Sequence, residues 1–122
     1  MREPAAAYGA PAQAAAPEPW SHPWHDQLGL RYHQAIAEKI RREPALLEIA
    51  KENLRRWLAA EPEAKPSRAR REWQQILASE DLAVIVRIMT DPSEDGHRRR
   101  QSTPFAGILT PEERRAIRDE LL

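Results

Sequence analysis

An all-α domain, a small bundle of five or six helices with a disordered Ala/Pro-rich N-terminal leader, is the fold class that three observations predict. Apolar residues recur at helical spacing through most of the chain after Asp26. Helix starts are written into the sequence, most sharply at Thr110-Pro111-Glu112-Glu113, where the threonine hydroxyl suits the Glu113 N–H and that glutamate suits the threonine N–H. The one stretch rich in β-branched residues, Leu82–Met89, has no partner strand elsewhere. At 122 residues the chain has room for a single core.

Residues 1–19 are low-complexity Ala/Pro sequence broken by Pro4, Pro11, Pro17 and Pro19, without a periodic apolar face, and are expected to be disordered. Trp20 and Trp24 follow beside prolines, either packing over the core or engaging a partner; packing is the favoured reading. The leader is therefore drawn as residues 1–24 and the helical domain as 25–122. From Asp26 the stripe Leu28, Tyr32, Ile36 and Ile40 predicts a first helix, ending on Arg41 and Arg42, where cations meet the negative end of the helix dipole. Pro44 breaks that pattern and begins a second helix with a wider face, Leu46, Leu47, Ile49, Ala50, Leu54, Trp57 and Leu58. This helix is expected to be central, with Ile36 and Ile40 packed against its Leu47, Leu54 and Trp57.

Residues 61–66, EPEAKP, form a polar linker, and Ala69, Trp73, Ile76 and Leu77 define a third helix over about 67–78. Ser79-Glu80-Asp81 is expected to cap a fourth, in which Leu82, Ile85 and Met89 share a face. Asp91-Pro92 stops it, Ser93 caps a short helical turn through Arg100, and the helix from Pro111 closes the series.

Composition excludes several functions. Nineteen basic residues balance nineteen acidic ones, unlike a general polyanion binder, although residues 31–79 carry eleven Lys and Arg against seven Glu. With no cysteine, disulfides, thiolate catalysis and the usual zinc frameworks are ruled out. No segment approaches the ~20 apolar residues that cross a bilayer, and the leader lacks a secretory apolar run, so a cytoplasmic protein is expected. Asp91 to Gly96 has the opening of a calcium loop, but Ser102 stands where the closing glutamate belongs and three arginines intervene. His22, His25 and Asp26 lie beside Pro23 in a stretch that offers no preorganised metal pair; neither metal nor cofactor is expected. His33 and His97 have no carboxylate and serine partners in an obvious set, and Glu112 and Glu113 are explained by capping, so no catalytic residue is assigned and the chain is read as a non-enzyme.

What remains is a basic turn, Arg98, Arg99 and Arg100, beside an apolar plug, Phe105, Ile108 and Leu109, around Gly107. The plug is expected to fold inward and carry the arginines at its rim. The plain reading of the run is a solvated turn paired with nearby carboxylates; the functional one is a docking point for an acidic surface, where guanidinium forks give directional contacts.

The segments YHQAIAEKIRREPALLEIAKENLRRW, from Tyr32 to Trp57, and TDPSEDGHRRRQSTPFAGILTPEERRAI, at 90–117, resemble a family of small bacterial antitoxin-like proteins associated with nucleotidyltransferase-like or other toxins. The most specific part is RQSTPFAGILTPEER, Arg100 to Arg114; the family often has Leu and Ser where this chain has Arg99 and Thr103, and an aromatic in place of Ala116. The resemblance implies a protein that neutralises a cognate toxin by stoichiometric binding, for which an apolar anchor with a polar rim is needed. Phe105, Ile108 and Leu109 with Arg98 to Arg100, or Trp20 and Trp24, are the candidate contacts. A DNA-binding regulator using the basic middle helices ranks second, since net charge is zero and no reader helix stands out.

Overall fold

The computed structural model describes residues 17–62 and 67–122. Among them are six α-helices and no strand: α1 (His22–Arg42), α2 (Leu47–Ala60), α3 (Arg68–Ala78), α4 (Leu82–Met89), α5 (Glu94–Arg100) and α6 (Pro111–Glu120), with a 3-10 turn at Pro44–Leu46. Most of the expected leader, residues 1–16, and residues 63–66 of the linker lie outside the described residues.

Helix α1 starts four residues before the expected Asp26. Ser21 Oγ accepts from the Trp24 N–H at 3.3 Å, and Pro23 stands in the first turn, where its missing N–H costs nothing. The prolines that suggested a leader thus include one that opens a helix, and the domain takes in Trp24, which is fully buried. At 21 residues α1, rather than α2, is the central element, lying against α4, α5 and α6. The expected α1–α2 pairing is replaced: Pro44–Leu46 turns the chain, with Leu46 N–H bonded to Glu43 O, and α2 packs along α3. Ile36 and Ile40 still share one core with Ala50 and Leu54, joined by Trp73, Leu77, Ile85, Met89 and Phe105.

The β-branched stretch is a helix, as the missing partner strand implies. Its cap is Asp81, which accepts from the Val84 N–H; Ser79 instead closes α3, and Glu80 turns the chain at φ 53°. Ser93 caps α5 through the Gly96 N–H, and both bonds of the Thr110–Glu113 capping box are present. Gly96 presses on the preceding turn so closely that an added Cβ would stand 1.9 Å from the Asp91 carbonyl oxygen.

Candidate partner-binding site

The segment between α5 and α6 holds the motif on which the resemblance rests. Residues 101–110 have little regular structure of their own, so their backbone groups need other partners. Asn53, from α2, donates through Nδ2 to Pro104 O at 2.9 Å and Ala106 O at 3.0 Å, while its Oδ1 accepts from Arg56. Lys39, from α1, donates to Ile108 O at 2.9 Å and to the Glu113 carboxylate at 2.8 Å, joining the loop to the capping box. From α3, Trp73 gives its indole N–H to Arg99 O at 2.8 Å and meets Phe105 edge to face, 5.3 Å between centroids.

His33, on α1, completes the set. Its Nδ1 lies 2.6 Å from the Gly29 carbonyl, which can only accept, so Nδ1 carries the proton. Nε2 then accepts from the Thr103 hydroxyl at 2.7 Å, and that oxygen accepts the Phe105 N–H at 3.2 Å. Burial, reinforced by Arg100 and Arg114 and opposed by the bond to Gly29, pushes the imidazole down to about 4. The ring is therefore neutral at pH 7.

Phe105, Ile108 and Leu109 fold inward as expected, but they are buried in the chain's own core and present no anchor to a partner. The three arginines part company, because successive helical residues point about 100° apart. Arg98 pairs with Glu72 of α3 through both Nη atoms, at 2.8 and 3.1 Å, which lowers the Glu72 carboxyl and raises the guanidinium. Arg99 reaches Asp95 at 3.4 Å, while its buried Nε stands 3.6 Å from Glu72 without a hydrogen bond. Arg100 turns into the protein rather than toward a rim, donating from Nη1 to Met89 O at 3.3 Å and Asp91 O at 2.6 Å, the carbonyls at the end of α4. The run is a brace joining α3, α4 and α5.

The two tryptophans also divide. Trp24 packs, giving its indole N–H to Leu121 O at 3.1 Å and so tying the start of α1 to the end of α6. Trp20 is 59% exposed. It occupies the third position of the turn Glu18-Pro19-Trp20-Ser21, closed by Ser21 N–H to Glu18 O, at φ 70°, a conformation that favours glycine. Its ring rests on Trp24 at 4.6 Å, with His25 edge-on to Trp24 at 5.0 Å. Trp20 and Leu122 are the exposed large apolar residues among those described, and the Trp24–Leu121 bond brings their segments to one end of the molecule.

No protein-family model, curated protein or solved structure matches this chain. Of the eight expected partner contacts, the structure leaves Trp20 as the exposed aromatic, with Arg98 exposed but paired. A separate open groove of about 350 Å³ runs between α2 and α3, floored by Leu54, Leu58 and Leu77. No cluster of three metal-binding side chains occurs among the described residues, and no described helix is long and apolar enough to cross a membrane. Lys39, Asn53 and Trp73, which secure the motif, were not legible as a group. The available signals were a polar Asn53 within the apolar run of α2 and His33 three residues from Ile36 on α1.

Proposed function

We propose that this chain is a stoichiometric protein-binding module that neutralises a cognate toxin in the cytoplasm, docking through the Trp20 corner. The observation that carries the reading is Trp20 itself, a large aromatic held exposed, on a rigid Trp24 base, by a backbone conformation that disfavours it. Backbone strain kept by the surrounding structure is a mark of functional positions, and tryptophan is the residue type most enriched among interface hot spots. The resemblance of Arg100–Arg114 to antitoxin-like proteins supplies the class of partner, with a nucleotidyltransferase-like toxin as the first candidate. DNA stays the second reading, because most of the middle-helix cations are engaged at home: Arg55 with Glu52, Arg71 with Glu61, and Arg70 over the Trp57 ring at 5.3 Å.

Calorimetric titration of the full chain against a purified nucleotidyltransferase-like toxin, chosen by finding such a gene beside its own, tests this. One-to-one or other fixed stoichiometry is expected, with Trp20→Ala weakening binding by about 30-fold, the loss of a hot-spot side chain, at unchanged melting temperature. No association, or an unaffected Trp20→Ala, refutes the reading.

A further inference from the structure

We infer that His33 is a proton-operated latch on the 101–110 loop: the neutral ring holds Thr103 and Phe105 against α1, and protonation frees the loop while the helices stay folded. The inference stands apart from the proposed docking at Trp20.

The geometry gives the latch its parts. His33 is 5% exposed and holds the loop at one point, the Thr103 hydroxyl, which in turn fixes the Phe105 N–H. The imidazole also sits edge-on to the Phe105 ring, 5.9 Å between centroids. Once protonated, Nε2 becomes a donor, and the Thr103 hydroxyl must turn its own hydrogen away from the only partner it has there. The charges around the ring offer no compensation. From α5 comes Arg100, with His97 behind it accepting from Arg100 Nη2 at 3.2 Å; from α6 comes Arg114, stacked over Tyr32 at 4.5 Å. Asp26 on α1 and Asp91 at the end of α4 act on Arg100, and α4 contributes none of the charges that act on the ring. Both cations oppose a third positive charge.

The loop is the element that yields. It sends Pro104, Phe105, Ile108 and Leu109 into the core, but it has no helical ladder of its own and its remaining polar ties from other helices are Asn53 and Lys39, whereas α1 is a 21-residue helix packed against α4, α5 and α6. Glu113, Glu72 and Asp91 are held below the usual carboxylate range by Lys39, Arg98 and Ser93 respectively, so they remain charged at pH 5. With the ring titrating near 4 when closed and rising toward the free value of 6.5 when open, linkage raises the open-to-closed ratio by up to about 30-fold between pH 8 and pH 5.

NMR hydrogen exchange on the full chain at both pH values tests the latch, with amide rates divided by their intrinsic values. Phe105 and Ile108 are expected to lose protection by tenfold or more, up to about 30-fold, and to exchange faster than the Ile36 amide of α1. His33→Gln is expected to abolish the change with pH, and Thr103→Val to raise loop exchange already at pH 8. In the unmodified chain the His33 ring signals are expected to titrate well below pH 6. Loop amides that exchange only at the rate of Ile36, a pH response that survives His33→Gln, loop exchange at pH 8 unchanged by Thr103→Val, or a ring that titrates near 6.5 would each overturn the inference.

Discussion

Gly96→Ala sets a local rule against a tertiary one. Helix propensity alone favours alanine in the middle of α5 by about 1 kcal/mol. The structure reverses the sign, because the new methyl would lie 1.9 Å from the Asp91 carbonyl oxygen and 2.8 Å from its carbon, where contact begins near 3.4 Å. Those are backbone atoms at the turn between α4 and α5, so relief requires the helix to lift from the turn by more than an ångström. Overpacking of this kind costs about 1–3 kcal/mol. Lifting α5 also stretches the bond from Arg100 to Asp91 O, 2.6 Å long, and a charged hydrogen bond contributes about 1.5–3 kcal/mol. Set against the propensity gain, the net is a loss of about 2–4 kcal/mol, or roughly 10 °C in Tm for a chain of this size. Gly29→Ala is the matched control: in the middle of α1, a Cβ there meets nothing within 4 Å, and the variant is expected to gain up to about 1 kcal/mol. Urea and thermal unfolding followed by circular dichroism measure both. A Gly96→Ala protein as stable as the parent would refute the close contact between α5 and the Asp91 turn.

Three further outcomes follow from the same contacts. Asn53→Leu removes the donor to Pro104 O and Ala106 O and the amide oxygen that accepts from Arg56, so urea unfolding should show a loss of about 2–4 kcal/mol. Arg100→Ala should cost about 3 kcal/mol, because Met89 O and Asp91 O lose a buried donor, whereas Arg98→Ala, at an exposed pair, should leave Tm essentially unchanged. Unfolded His33 takes up its proton near 6.5 and folded His33 near 4, so between those values the unfolded chain holds more protons and stability rises with pH. The contribution is complete above about pH 6.5; urea midpoints should show about 2 kcal/mol less stability at pH 5 than at pH 8, a difference that His33→Gln flattens.

The sequence carries those features that a few adjacent residues decide. Thr110-Pro111-Glu112-Glu113 needs only itself to start α6, and Ser93 needs only Gly96. The apolar stripes of α1 to α4 name most of the core, although Leu58 lines the open groove between α2 and α3 and Val86 joins the core from outside its expected stripe. Which helix lies at the centre depends instead on how Pro44–Leu46 redirects the chain, a matter of a few dihedral angles that periodicity does not encode. The arginine run shows the same limit: three identical side chains in sequence meet Glu72, Asp95 and two carbonyl oxygens. Trp20 and Trp24 are four residues apart and similar in context, yet one turn sends the second into the protein and holds the first outside it. The contacts that fix the 101–110 loop join residues about 50 to 70 positions apart, beyond any local pattern.

The ties to that loop also constrain how such a chain changes over generations. Asn53, Lys39, Trp73 and His33 belong to three different helices, yet all serve one irregular strip, the first two through its backbone carbonyls and the others through the Phe105 and Thr103 side chains. Asp in place of Asn53 would turn an attraction for two carbonyl oxygens into a repulsion, and no edit within the strip restores the missing N–H groups. Homologues that keep the strip should therefore keep these four side chains together or exchange them as a set.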